Sequence, residues 1–137
     1  MNGRNPLAVL EGTVVRGKKL GSKLGIPTIN IPYPLGATQV QDGVYVAEAV
    51  LLEDGDRTVP GVLNQGYHPT VPDGDPAVEM HLFDFDEDLY GRRVLVRFLE
   101  YLRPELVFDS KEAMRLVMLD DIARARRWFL DRGELQP

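Results

Sequence analysis

The 13 glycines and 10 prolines of this 137-residue chain are distributed along it and separate short apolar runs. Because both residues interrupt regular secondary structure, segments this short are typical of strands. Six segments have strand character, and they are residues 10–16, 28–33, 44–52, 58–63, 77–85 and 93–102. The Asp-Gly pair within residues 53–56 predicts a hairpin turn between the third and the fourth.

The last quarter of the chain has a helical pattern instead. Apolar residues recur there at intervals of three or four, and they are Met114, Met118, Ile122, Ala125 and Phe129. This stripe predicts one helix whose apolar face packs on the rest of the domain. Either Asp109 or Ser110 can cap its start, and Gly133 is a plausible end. Five or six strands followed by one helix predict a closed or nearly closed antiparallel barrel with a helix packed on it.

Length, charge and residue usage exclude several classes of protein. The length fits one domain, residues 1–137. A net charge of −5 disfavours nucleic-acid and anionic-membrane partners, and the absence of cysteine excludes disulfides, thiolate metal sites and cysteine nucleophiles. With two histidines, a three-histidine metal site is impossible. No apolar stretch approaches the roughly 18 residues of a membrane span, so we expect a soluble, cytoplasmic protein.

A glycine-rich segment follows the first predicted strand. Residues 12–19 nearly match the phosphate-loop pattern, but Lys19 stands where that pattern requires a hydroxyl, and Pro27 soon stops any helix. We therefore reject a phosphate loop of that type. Three glycines spaced by four and several lysines remain within residues 16–25. Such a loop suits a polyphosphate, although a solvated turn explains the same residues.

Two polar residues come directly after this loop. Thr28 and Asn30 are two positions apart on an extended segment, so their oxygens face the same side. A hydroxyl and an amide oxygen are neutral oxygen ligands that suit Mg²⁺ shared with nucleotide phosphates. The alternative is that they are ordinary polar residues at the start of a strand.

Alternation in the fifth predicted strand separates its side chains into two faces. Val78, Met80 and Leu82 share one face, whereas Glu79, His81 and Phe83 share the other. Glu79 is therefore predicted to point away from one apolar layer. In isolation such a residue is more often a solvated carboxylate than a catalytic one. His81 either orients a substrate or forms a hydrogen bond within the barrel, and the sequence does not decide between these roles.

Several motifs occur in one order along the chain, from Leu10 to Ala125. They are Val14-Val15-Arg16-Gly17, Gly21-Ser22-Lys23, Leu24-Gly25-Ile26-Pro27-Thr28 with Asn30, Asp42-Gly43-Val44-Tyr45, Asn64-Gln65-Gly66 with Pro69-Thr70, Val78-Glu79-Met80-His81, Leu89-Tyr90-Gly91, Arg103-Pro104-Glu105 with Phe108, and Asp121. This succession resembles the riboflavin kinase (flavokinase) family. Each motif alone is weak, but so many in register make coincidence very improbable.

The resemblance implies a fold and an activity. The implied fold is all-β, a six-stranded antiparallel Greek-key barrel with a C-terminal α-helix. The implied reaction moves the γ-phosphoryl group of ATP, with Mg²⁺, to the 5′-hydroxyl of riboflavin and gives FMN and ADP. Riboflavin and ATP are then the partners, and we expect a monomer without nucleic-acid or membrane partners.

The resemblance also implies roles on the nucleotide side of the site. Gly17 and Lys23 match the loop over the phosphates, and Tyr90 lies where the family contacts the nucleotide. Thr28 and Asn30 are similar to the residues that hold Mg²⁺ and the nucleotide.

Further matches concern the reaction itself and the flavin. Glu79 matches the family's catalytic base, and Arg103 and Phe108 match the loop that closes on the flavin. The chain departs from the family at Lys19 and Leu20, where Gly-Arg is common, at Ile29, where alanine is usual, and at Val117, where glutamine is frequent. No departure removes a proposed ligand or the base.

Two other interpretations stay open at this point. A flavin- or nucleotide-binding regulatory barrel could keep the fold without kinase activity, whereas a barrel for single-stranded nucleic acid is disfavoured by the charge and by the 8% aromatic content. Bacterial relatives usually fuse this module to an adenylyltransferase. The chain is therefore expected to be either a natural stand-alone kinase or part of a longer protein.

Overall fold

The computed structural model describes residues 5–16, 24–32, 38–66 and 76–135. Within these ranges it has six strands and one long helix. The elements are β1 (Ala8–Thr13), β2 (Ile29–Pro32), β3 (Gly43–Leu51), β4 (Arg57–Gly66), β5 (Ala77–Leu82), β6 (Arg93–Arg103) and α1 (Lys111–Asp131). Each predicted strand segment and the predicted helix therefore corresponds to one element.

The six strands form one sheet in the order β1-β6-β3-β4-β5-β2, and all neighbours are antiparallel. Strands β3, β4 and β5 are consecutive neighbours, and β6 returns to lie beside β3, which is a Greek key. Within the described residues, the two edges of the sheet meet at one bridge just beyond β1, in which the Val15 N–H donates to the Asn30 carbonyl at 2.9 Å. The sheet is thus a nearly closed barrel, which confirms the predicted fold class.

The close approach of β1 and β2 depends on a glycine. A Cβ atom at Gly12 would lie 2.8 Å from Cγ2 of Ile31, which is closer than such atoms normally approach. The missing side chain lets the two edges of the sheet come together beside the Val15–Asn30 bridge.

Strand β3 is buried along its whole length because both of its faces are covered. Tyr45 and Ala47 belong to the core inside the barrel, whereas Val44 and Val46 belong to a second core. That second core lies between the barrel and α1 and includes Phe129. The helix therefore covers one side of the barrel.

Helix α1 begins where its cap is satisfied. The Ser110 Oγ accepts a hydrogen bond from the Ala113 N–H at 3.0 Å, so Ser110 is the N-cap and Asp109 is not. Gly133, with φ of +71°, follows the helix end as predicted. Only the C-terminal half of the apolar stripe is buried, at Ala125 and Phe129. No helix in the described parts of the chain is long and apolar enough to cross a membrane.

Candidate active site

A pocket lies between the barrel and the N-terminal half of α1. Its walls differ in polarity. The barrel and the segment before β2 contribute polar side chains to the lining, and they are Thr28, Asn64, Glu79, His81 and Arg103. The side chains from α1 and the segment before it are apolar except for Asp121, and they are Phe108, Met114, Met118 and Ile122. The pocket therefore suits a ligand with one apolar and one hydroxylated or charged end.

Glu79 is the centre of the polar part. It is 6% exposed, and its Oε2 accepts a hydrogen bond from the Thr28 hydroxyl at 2.7 Å. Asn30 of β2 and Asn64 of β4 are its direct partners in the two neighbouring strands. Since paired residues of antiparallel strands share a face, one carboxylate lies among three neutral polar side chains.

Two polar atoms beside Glu79 have no hydrogen-bond partner within the described residues. They are Nδ2 of Asn30 and Oδ1 of Asn64, and both are buried. A buried polar atom without a partner costs about 1–3 kcal/mol. Asn64 lines the pocket, so a ligand there can supply the partner of its Oδ1.

The donor set at this position fits a magnesium ion. The Thr28 hydroxyl and the Asn30 side-chain oxygen are neutral oxygen ligands of the kind that suits Mg²⁺. No cluster of three or more acidic or histidine side chains occurs in the part of the chain that the structure describes. Because both of these ligands are neutral, the site suits Mg²⁺ that arrives with nucleotide phosphates better than a bare ion.

An ion pair joins the barrel to the helix across the pocket. The Arg103 Nε donates to Oδ1 of Asp121 at 2.9 Å, and its Nη2 donates to Oδ2 at 2.7 Å. Their side chains are 14% and 6% exposed. A bidentate pair this buried fixes the end of β6 against α1.

A second ion pair also joins the helix to the barrel, but it lies outside the pocket lining. The Arg126 Nη2 donates to Oδ1 of Asp84 at 2.8 Å, and both side chains are exposed. The hydrogen bond and charge of Arg126, with a smaller effect of His81, lower the pKa of Asp84. This pair has the geometry of the Arg103–Asp121 pair without its burial.

The structure brings most of the predicted site residues together. Thr28, Glu79, Arg103 and Phe108 line the one pocket, and Asn30 lies beside Glu79 on the next strand. Gly17 and Lys23 lie outside the described residues.

Tyr90 is not among the residues that line the pocket. It is 50% exposed, and the Arg16 guanidinium lies 4.1 Å from the centre of its ring. Its contact with nucleotide therefore stays a prediction.

Some pocket residues had no role assigned from the sequence. Asn64 and Asp121 belong to matched motifs, but their function depends on strand register and helix docking, which the motifs do not encode. The apolar stripe of the helix predicts Met114 and Met118 as packing residues, whereas they line the pocket. The one available signal was their type, because methionine is common at adaptable binding surfaces.

Comparisons with known proteins agree with this geometry. A family model described as flavokinase, riboflavin kinase, matches residues 5–129. The bifunctional riboflavin kinase/FMN adenylyltransferase of Escherichia coli K12 is 37% identical over 125 residues, which are 91% of this chain and 39% of that protein. The RNA-binding riboflavin kinase of Bacillus subtilis is 35% identical over 132 residues, 96% of this chain and 55% of that protein. The chain thus spans between about two fifths and just over half of these relatives.

A solved structure has the same fold. The crystal structure of riboflavin kinase from Trypanosoma brucei matches with a TM-score of 0.59 at 21% identity, and the match covers 90% of this chain and 79% of that one. At this identity the likeness supports the barrel and its helix.

Proposed function

Because the chain belongs to the riboflavin kinase family, we propose that it transfers the γ-phosphoryl group of ATP to the 5′-hydroxyl of riboflavin and so forms FMN and ADP. The observation that carries the proposal is the buried Glu79 carboxylate, hydrogen-bonded to Thr28 at the polar end of a pocket with an apolar wall. This polarity matches riboflavin, which has a flat ring system at one end and a polyol chain at the other.

The pocket suggests how riboflavin lies. The ring system packs on the apolar wall formed by Phe108, Met114, Met118 and Ile122, and the polyol chain extends towards Glu79. The Arg103–Asp121 pair keeps this wall in place beside the barrel. Arg103 is also proposed to contact the flavin, because it lines the pocket.

Glu79 accepts the proton of the 5′-hydroxyl as the new phosphorus–oxygen bond forms. A general base of this kind is worth about 10² to 10⁴ in rate. The Thr28 hydroxyl donates to one carboxylate oxygen and thereby fixes the orientation of the base. Most of the remaining acceleration of a phosphoryl transfer comes from positioning and electrostatic stabilisation.

Thr28 and Asn30 would hold Mg²⁺ together with the nucleotide phosphates. The ion supplies positive charge that stabilises the phosphoryl oxygens. Gly17, Lys23 and Tyr90 are proposed to contact the nucleotide. We further propose that the protein is a cytoplasmic monomer. Its net charge of −5 disfavours a nucleic-acid partner.

Incubation of the protein with riboflavin and MgATP tests the proposal. Chromatographic separation of the flavins should show FMN, and coupled detection should show one ADP for each FMN. A folded protein that binds riboflavin without forming FMN would instead be the regulatory binding barrel. Omission of Mg²⁺ by chelation should abolish FMN formation.

A further inference from the structure

His81 makes a hydrogen bond whose direction can be assigned. Its ring Nδ1 lies 2.7 Å from the carbonyl oxygen of Pro27. Because a carbonyl oxygen only accepts hydrogen bonds, Nδ1 carries the proton and donates it. In the neutral ring the other nitrogen, Nε2, is then unprotonated.

This contact lies where the pairing of two strands ends. The ladder between β2 and β5 begins at the pair of Ile29 with Met80. Pro27 comes two residues earlier and has no N–H, so the ladder cannot continue regularly through it. The side chain of His81 supplies the donor for the Pro27 carbonyl.

Two side chains of β5 therefore hold two consecutive residues. Glu79 accepts from the Thr28 hydroxyl at 2.7 Å, and His81 donates to the carbonyl of Pro27. The peptide group between Pro27 and Thr28 is planar, so anchoring its oxygen also restricts the position of the Thr28 Cα. Orientation of the Thr28 hydroxyl thus depends on both contacts.

We propose that His81 is a positioning residue, which fixes Thr28 for the magnesium nucleotide through the Pro27 carbonyl. The inference rests on the proposed function in that it takes Thr28 as a ligand of the Mg²⁺–nucleotide complex. A rival role exists because His81 also lines the pocket, where Nε2 could contact riboflavin directly.

Two substitutions separate these roles. The amide nitrogen of asparagine is as many bonds from Cβ as Nδ1 of histidine is, whereas the amide nitrogen of glutamine corresponds to Nε2. His81→Asn keeps the donor to Pro27, and His81→Gln removes it. We expect MgADP affinity and the KM for MgATP to stay within twofold in His81→Asn. In His81→Gln both should weaken by about three- to tenfold, the equivalent of one net hydrogen bond.

Riboflavin affinity tests the rival role of His81. If Nε2 contacted riboflavin directly, replacing His81 would change this affinity. We expect both variants to bind riboflavin like the parent, and urea unfolding should show that both are folded. Parent-like nucleotide affinity in His81→Gln with weakened riboflavin binding in His81→Asn would overturn the proposal. Equal nucleotide affinities in the two variants would overturn it too.

The tautomer gives a readout that needs no turnover. The chain has two histidines, so ¹⁵N-histidine NMR of the parent and of His81→Asn assigns the His81 ring. We expect a protonated Nδ1, and an unprotonated Nδ1 would overturn the inference even in an active enzyme. If the parent protein binds MgADP but forms no FMN, that result contradicts the proposed reaction and not the role of His81.

Discussion

Glu79 has an environment that makes its role measurable. Replacement by glutamine keeps size and hydrogen-bonding shape but removes the basic oxygen. We expect kcat of Glu79→Gln to fall by about 10² to 10⁴. Affinities for riboflavin and MgADP should stay within a few-fold of the parent, because a base acts in the transition state. Steady-state kinetics and calorimetry measure the two effects.

Glu48 offers a matched control for this experiment. It is also a buried strand glutamate, and it lies 3.6 Å from an Arg97 nitrogen instead of lining the pocket. Glu48→Gln should therefore leave kcat unchanged. A Glu79→Gln variant with the parent rate would show that Glu79 is not the base, and a collapse of both affinities would make it a binding residue.

Substitutions at Thr28 and Asn30 are expected to weaken binding of the magnesium nucleotide far more than binding of riboflavin. Thr28→Val keeps the shape of the side chain without its hydroxyl, and Asn30→Ala removes the amide. Both should raise the Mg²⁺ concentration needed for half-maximal activity and weaken MgADP binding by tenfold or more, since each removes an oxygen ligand. Titrations of Mg²⁺ at fixed ATP measure this.

Thr58 of β4 is exposed and supplies the control substitution Thr58→Val. It should not change the Mg²⁺ requirement. Unaltered Mg²⁺ dependence in both Thr28→Val and Asn30→Ala would mean that the ion is held elsewhere.

For individual residues, the sequence predicted which side chains belong to the site but not which side chains they contact. The resemblance indicated Thr28 and Glu79, and alternation placed Glu79 on the face opposite Val78 and Met80. The hydrogen bond between Thr28 and Glu79 spans 51 positions and depends on the register of β2 against β5. Register is set by the packing of all six strands, so the pattern of one strand could not reveal it.

Helix α1 contributes a packing half and a binding half. Its C-terminal half buries Ala125 and Phe129, whereas Met114 and Met118 of its N-terminal half line the pocket. Periodicity predicted the helix because spacing reports one apolar face. It could not show that part of this face covers a cavity, since packing and lining residues have the same spacing.

Breaking each of the two ion pairs between α1 and the barrel should have different effects on stability and on riboflavin affinity. Asp121→Asn breaks the buried pair and leaves Arg103 without its carboxylate, so unfolding free energy should fall by about 3 kcal/mol or more. Riboflavin affinity should fall by tenfold or more, because the wall formed by α1 loses its anchor. MgADP affinity should change little. Urea unfolding and flavin fluorescence titration measure these changes.

Asp84→Asn is the matched control, because it breaks an exposed pair of the same kind between the same helix and the barrel. Exposed pairs contribute about 0–1 kcal/mol, so both stability and riboflavin affinity should stay near those of the parent. Equal losses in Asp84→Asn and Asp121→Asn would contradict a special role for the buried pair.

The whole barrel should lose stability at alkaline pH through Tyr45. Its ring is buried against Phe98 and Tyr101, and its hydroxyl donates to the Gln41 carbonyl. Burial, with the charges of Tyr101 and Asp42, raises the pKa of Tyr45 from 10.0 to about 12. Between these values the unfolded chain releases a proton that the folded chain retains, so stability is full below pH 10 and falls as pH rises towards 12.

Tyr45→Phe should make the free energy of unfolding less dependent on pH in this range. The slope should change by at most about 1.4 kcal/mol per pH unit, which is the contribution of one proton. Urea unfolding at pH 9, 10 and 11 measures the slope. Tyr90→Phe, which removes an exposed hydroxyl, should keep the slope of the parent. An identical slope in Tyr45→Phe would show that another group causes the alkaline loss.

The sequence predicted the strands and the nearly closed barrel better than the order of the strands in the sheet. Short apolar runs between glycines and prolines indicated the strands, because each run can bury only one short segment. The order of strands follows from contacts between distant segments, so the pattern could not give it, and the resemblance implied only that the six strands form a Greek key. The need for Gly12 became visible only when β1 lay against Ile31.

The Val15–Asn30 bridge has a consequence for ligand binding. Because this is the one bridge between the two edges of the sheet among the described residues, local opening of the barrel should begin there. The same Asn30 is a proposed ligand of the nucleotide's metal, so occupancy and breathing are thermodynamically linked. A ligand that binds only when the Val15–Asn30 bridge is closed lowers the fraction of molecules in which the bridge is open. The exchange rate of the Val15 amide proton should therefore report nucleotide binding from outside the pocket.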